Sequence, residues 1–322
     1  MELTVIIFSA IGLDLLLGDP RLSFHPVALM GKLALCLEKP FRYIIKNEFV
    51  AGMLCSLSVY AIFAIAAGLA TWSAGTYRYL AAAFFLYTAI APRSLSGHAM
   101  AVYRELRKGN IDAARKKVAM IVSRDAEALD ECGIVRSCVE SLGENFTDGV
   151  ASAIFYAAIG YLIYGAVGCA AAVWFFRSAN TLDATFGYKN KRYIRFGTFP
   201  ARMDDILNYI PARLTPFAIA IASVFLGLRP LNALFCAFRD HGKHPSPNSA
   251  WGMASFAGAL GVRLGGRTKY RDGWHDYPFW GNNIEELEKK HIKQSCHLVI
   301  AGTFVFAATV ALVVFFYKWQ LF

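Results

Sequence analysis

The residues whose types and spacing could do chemistry fall in a few dense polar clusters. The first is 141–149, Ser-Leu-Gly-Glu-Asn-Phe-Thr-Asp-Gly. If this stretch is helical, Glu144 and Asp148 lie four apart on one face, with Asn145 beside them. Two such carboxylates could hold Mg²⁺ together with a substrate phosphate. The alternative is a polar helix end ahead of an apolar segment. In the second cluster Arg177, Asn180 and Asp183 recur at intervals of three, one helical face where the chain leaves an apolar run. They suit hydrogen bonding to a polar ligand, or equally a snorkelling arginine and a cap.

The third cluster, 189–213, holds Lys189, Lys191, Arg192, Arg202 and Arg213 around Asp204, Asp205 and Asn208. Arginine forks and a mobile lysine charge suit phosphate, and the Asp pair could ligate metal or pair with the arginines. Two smaller groups are Ser123-Arg124-Asp125 and His244-Pro245-Ser246-Pro247-Asn248. No Walker loop, GxSxG elbow, GxGxxG fingerprint or HExxH motif is present.

These clusters must be positioned by membrane helices. The chain has 322 residues, 56% hydrophobic, with a mean hydropathy of +0.40. Soluble domains sit near 45–50% apolar, and here the excess comes in blocks. Segments 3–17, 50–70, 77–91, 150–176, 214–235 and 298–317 read as membrane segments. Polar regions 93–149, 177–213 and 237–296 lie between them and carry the site candidates. The prediction is one membrane-embedded, all-α, polytopic domain with substantial polar helical connections. Segment 150–176 is either one span or two half-helices hinged near Gly165; one span puts its flanking polar blocks on opposite faces, two halves on the same face. A charged helix is expected over 283–293. The start of the chain has an acidic flank and no basic n-region, so it reads as a retained segment rather than a signal peptide.

The formal charge of +10 does not point to nucleic acid, because the basic residues lie between apolar segments where anionic lipid, topology and anionic substrates account for them. The seven cysteines are irregularly spaced without a CxxC pair, which argues against a disulfide framework or a structural zinc site.

Taken together, several stretches resemble the cobinamide-phosphate synthase family, the membrane proteins called CbiB or CobD. They are 14–20 with His25-Pro26-Val27, 122–125, 140–149, 180–183, 187–190, Phe196-Gly197, 201–214 and 244–249. Gly143 stands where the family pattern has alanine, and Phe146 where it has a small polar residue. The resemblance implies a prokaryotic inner-membrane ligase of cobalamin biosynthesis. It would join adenosylcobyric acid to (R)-1-amino-2-propanol O-phosphate, or to the free aminoalcohol, using ATP and Mg²⁺. ATP has a direct physical reason, since a free carboxylate repels nucleophiles and has a poor leaving group, whereas an acyl phosphate does not.

On that reading Glu144, Asp148, Asp183, Asp204 and Asp205 are the catalytic carboxylates, with Glu144, Asp148 and Asp205 as metal ligands. Arg124, Lys191, Arg192, Arg202 and Arg213 are the phosphate contacts, and Asn145 and Asn180 orient substrate. Membrane lipid, other corrinoid-pathway enzymes and a second copy of the chain are the expected partners. The competing expectations are a transporter for an anionic or corrinoid ligand, and a non-catalytic membrane accessory protein with an AmpE-like fold.

Overall fold

The structure, a computed structural model, describes residues 1–19, 25–122, 124–188, 190–270 and 273–320. It is an all-α membrane protein with one short β-ribbon among the described residues. The chain, read from sequence as one domain, divides into two compact units, each made of separated pieces.

The first unit comprises Met1–Ala91, Ser152–Asn208 and the end of the chain from Ala307. It contains α1 (Glu2–Leu17), α2 (Pro26–Ile44), α3 (Glu48–Ser73), α4 (Arg78–Tyr87), α8 (Ser152–Phe186) and α9 (Thr198–Leu207). Helix starts follow local chemistry. Pro26 occupies the first turn of α2, where its missing N–H costs nothing, and His25 Nδ1 caps it by accepting the Val27 N–H at 3.3 Å. Asn47 caps α3 through the Phe49 and Val50 amides. The core between α2, α3, α8 and α9 is built on Ala51, Cys55, Tyr60, Leu182, Phe186 and Phe196.

Helix α8 is not continuous. Tyr164 and Gly165 leave helical geometry, and Gly165 takes φ 56°. In a straight helix residues 160 and 168 would stand about 12 Å apart. Here a Cβ on either glycine would collide with the other's carbonyl. The chain therefore folds back on itself, and the arms 152–163 and 166–186 pack at a glycine–glycine contact.

The second unit comprises Pro92–Ala151 and Tyr209–Phe306. Its helices are α5 (Pro92–Arg107), α6 (Ile111–Val118), α7 (Glu131–Phe146), α10 (Tyr209–Phe225), α11 (Pro230–Asp240), α12 (Ser249–Leu260) and the first part of α13 (Lys290–Trp319). Strands β1 (Arg263–Tyr270) and β2 (Gly273–Gly281) pair antiparallel, with Arg263 opposite Gly281 and a bulge at Gly265/Gly266. Helix α12 is the hub, packing on α7, α10, α11 and both strands. It approaches α7 so closely that a Cβ on Gly252 would strike the Gly143 carbonyl. A Cβ on Gly143 would sit 3.0 Å from the Met253 Cα, so glycine at this position relieves a tight helix crossing.

Three sequence expectations need correction. Segment 214–235 is not one element: α10 runs through Pro216 and ends at Phe225, Gly227 takes φ 64°, and Pro230 opens α11. Hydropathy averages across this break. The charged helix expected over 283–293 is absent from 283–289. There the Ile284 and Glu285 amides both donate to the Gly261 carbonyl at 2.9 Å, and Arg229 and Lys290 bind the Glu285 carboxylate. Within the polar region 237–296, expected as a helical connection, strands β1 and β2 form the ribbon.

By length and composition, helices Glu48–Ser73 and Lys290–Trp319 and a part of the run Glu131–Phe186, which comprises α7, a π-helical turn and the two arms of α8, can cross a membrane, and a fourth span is available if Thr198–Leu207 and Tyr209–Phe225 count as one bent element. Helix α1, with 16 residues, and α4, with 10, are shorter than the roughly 20 residues a bilayer core requires.

Gly168→Val should destabilise the protein by about 1–3 kcal/mol, because the added side chain has no space at the hairpin. Gly12→Ala, with no atom near the added Cβ, should change stability by less than about 1 kcal/mol. Thermal midpoints of the two detergent-solubilised variants provide the comparison.

Candidate functional site

Helix α7 starts at Asp130, whose Oδ1 accepts the Gly133 N–H at 2.7 Å. From there Ser137, Glu140, Ser141 and Glu144 recur at three- and four-residue spacing and share one face. That face is covered by Ile121, Val122 and Arg124, by β1 and by the turn before α12. Between them lies a polar cavity of about 300 Å³, entirely within the second unit. Arg124, Glu140, Ser141, Glu144, His244 and Thr268 are among the polar residues lining it.

Glu140 is only 3% exposed. Its Oε2 accepts Arg124 Nη2 at 2.7 Å, and its Oε1 accepts the Gly265 amide at 2.8 Å. Arg124 Nη1 also donates to Ser137 Oγ at 3.0 Å. Ser141 Oγ donates to the Ile121 carbonyl at 2.9 Å. Glu144, half-buried, accepts Ser249 Oγ at 2.9 Å. His244 stacks on Tyr277, with ring centroids 5.8 Å apart, and meets Trp280 edge-on. Its Nδ1 accepts the Ser246 amide at 3.1 Å, which puts the proton of the neutral ring on Nε2. Burial holds the His244 pKa below the ordinary histidine range, against the opposing pull of Glu144 and Glu140.

The sequence-predicted residues do not all meet here. Arg124 and Glu144 line the cavity. Asn145, exposed on the neighbouring face of α7, donates to Ser141 O and Oγ. Asp148 is half-buried in a π-helical turn, Thr147–Ala151, and is not among the lining residues. Arg213 lies over the Tyr209 ring and reaches Asn248 Oδ1 at 3.4 Å.

The remainder belong to the first unit. There Arg177 Nη1 donates to Asn180 Oδ1 at 3.1 Å, and Asn180 Nδ2 donates to the buried Asp204 at 3.2 Å. Asp183 and Asp205 lie within electrostatic reach of Asp204. Arg192 holds the buried Glu38 with two nitrogens, at 3.0 and 2.9 Å, which gives this arginine a structural partner. Lys191 and Arg202 are exposed. The three carboxylates expected to share a metal are thus divided, Glu144 and Asp148 in one unit and Asp205 in the other. The described residues contain no group of three or more His, Cys, Asp or Glu placed to hold a metal ion. Ser123 and Lys189 lie outside the described residues.

Sequence reasoning missed Glu140, Thr268 and Tyr277 as site residues. The first was detectable, since it shares the helical face of Glu144. The ribbon residues carried no comparable signal.

Residues 7–299 match the family described as CobD/Cbib protein. The chain is 43% identical over 300 residues to the cobalamin biosynthesis protein CobD of Leptospira interrogans serogroup Icterohaemorrhagiae serovar copenhageni, covering 91% of this chain and 93% of that one. Against the protein of the same name from Pelobacter propionicus identity is 38% over 302 residues, with 92% and 91% covered. Against that of Klebsiella pneumoniae it is 32% over 299 residues, with 89% and 90% covered. No solved structure matches the chain.

Two outcomes test this geometry. Arg124→Met strands a buried carboxylate and should cost about 3–5 kcal/mol, whereas Arg124→Met with Glu140→Leu should recover only part of the loss in chemical denaturation, because the buried Gly265 N–H then lacks its acceptor. Because the folded His244 resists protonation, the unfolded chain takes up a proton first as pH falls. Stability should therefore drop below about pH 6.5, and His244→Gln should flatten that part of a melting-temperature-versus-pH curve.

Proposed function

The chain belongs to the CobD/CbiB family and takes part in cobalamin biosynthesis, and from that premise we propose that it is a membrane-bound amide ligase. In this reading it joins a carboxylate arm of adenosylcobyric acid to the amine of (R)-1-amino-2-propanol O-phosphate, or of the free aminoalcohol, with ATP consumed, in the plasma membrane of a prokaryotic cell. The observation that carries the reading is the polar cavity on α7, where Glu144 stands beside a neutralised Arg124–Glu140 pair and a neutral His244.

The cavity's volume lies at the lower end of small-molecule sites. It suits an aminoalcohol phosphate and the end of a carboxylate arm, while the corrin macrocycle would remain outside. Phosphoryl transfer from ATP to the carboxylate gives an acyl phosphate and ADP. Attack by the amine nitrogen then forms the C–N bond, expels phosphate and releases a proton. Glu144 is suited to hold the incoming ammonium and receive that proton, since Glu140 is already occupied by Arg124. Ser249 orients the Glu144 carboxylate. The Nε2–H of His244 is a donor suited to a carboxyl or phosphoryl oxygen in the cavity.

Mg²⁺ bound with ATP would supply charge neutralisation at the transferring oxygens. Such ions take one or two protein carboxylates and leave the remaining positions to phosphate and water. In the first unit the Arg177–Asn180–Asp204 chain is suited to orienting a polar group of the corrinoid.

The test is amide synthesis by purified protein in nanodiscs with adenosylcobyric acid, aminopropanol phosphate and Mg-ATP, read by mass spectrometry. Product should require all three. Glu144→Gln should cut turnover by about 100-fold or more while leaving the melting temperature unchanged. Amide formation unaffected by Glu144→Gln would remove Glu144 from the chemistry. Corrinoid uptake into vesicles without any amide would replace the ligase by a transporter.

A further inference from the structure

A second cavity, about 360 Å³, lies in the same unit between the first turn of α7 and the outer part of the ribbon. Its charged lining residues are Arg136, Arg267, Lys269 and Asp130, so cations are in excess. Asp130 is committed to capping α7. Arg136 donates Nη1 to the Gly265 carbonyl at 2.7 Å and Nη2 to the Arg267 carbonyl at 3.1 Å. Its Nε is buried with no hydrogen-bond partner among the described residues. The Arg267 guanidinium lies 4.7 Å from the centroid of the Trp274 ring, with Asp276 at 3.9 Å. Lys269 is 3.2 Å from Asp125. Trp274 is 55% exposed, far more than a core tryptophan.

We propose that this cavity binds a nucleoside polyphosphate, with its phosphates on Arg136, Arg267 and Lys269 and its base against Trp274. Three features converge on that ligand class. The cations lie at a helix N-terminus, where backbone N–H groups and the helix dipole favour negative charge. The exposed indole, already backed by a guanidinium, is a stacking platform for a planar base. The volume exceeds what a bare phosphate fills. Thr268 lines both this cavity and the first, so the two share a wall of β1. Naming the nucleotide as ATP rests on the ligase reading; the nucleoside polyphosphate class rests on the cavity itself.

The experiment is equilibrium binding of ATP to the full chain in neutral-lipid nanodiscs, by titration calorimetry, with Arg267→Ala and Trp274→Ala beside the unaltered protein. Both side chains are largely exposed, and melting temperatures confirm that the variants fold. Each substitution should weaken ATP binding by about tenfold or more. Inorganic phosphate should compete only far more weakly than ATP. ATP affinity unchanged in both variants overturns the proposal. So does a site that inorganic phosphate, or phosphatidylglycerol added to the nanodisc, occupies as well as ATP while Trp274→Ala has no effect, because that site would read phosphate alone. Amide synthesis proceeding with normal ATP affinity in both variants would sink this inference and leave the ligase intact. A protein that binds ATP as described yet makes no amide would do the reverse.

Discussion

The second unit depends on one buried carboxylate. Removing Glu140 from water costs several kcal/mol unless its oxygens are paired, and the fold supplies two partners from distant parts of the chain. Arg124 takes one oxygen and the Gly265 amide takes the other. The same two bonds fix the segment before α7 and the first strand of the ribbon against the helix. One turn earlier, Arg136 donates to two carbonyls of that strand. Two side chains of α7 thus hold the strand, one by its N–H and one by its C=O groups. A two-stranded ribbon is marginal alone; here these bonds and the packing of α12 hold it. Both cavities exist because the ribbon is held there.

Where α7 approaches the longest apolar stretch, the backbone changes pitch. Thr147–Ala151 is π-helical, and Thr147 Oγ1 lies 3.2 Å from Thr215 Oγ1 on α10. Such turns are uncommon and recur at functional sites. Asp148 falls inside this one and, unlike Glu144, does not line the first cavity. The tight crossing at Gly143 and Gly252 serves the same region by letting α12 lie against the helix that carries Glu144.

The helix carrying Glu144 was legible in the sequence because its spacing is local, as were the apolar blocks. The ribbon was not. Arg136 and Gly265 are 129 residues apart, and the glycines at 265, 266 and 273 read as turn formers rather than strand. The break after Phe225 was hidden for a different reason: hydropathy stays high through Leu226 and Leu228 although Gly227 and Pro230 end one helix and start another. Composition also could not separate ligand-binding arginines from structural ones. Arg192 looked like a phosphate contact, but its partner is Glu38, 154 residues earlier, a carboxylate that would otherwise be buried unpaired.

The two cavities divide charge between them. In the first, Arg124 cancels Glu140 and burial keeps His244 neutral, so Glu144 leaves that lining one negative charge in excess. In the second, Arg136, Arg267 and Lys269 line the wall beside the capping Asp130, with Asp125 on Lys269 and Asp276 near Arg267. In the proposed reading the amine sits in the first cavity and the nucleotide phosphates in the second. A reaction that consumes an amine and a nucleotide has to keep these oppositely charged groups from pairing in the wrong order. In that reading, separate seats that meet at Thr268 of β1 keep the two groups apart.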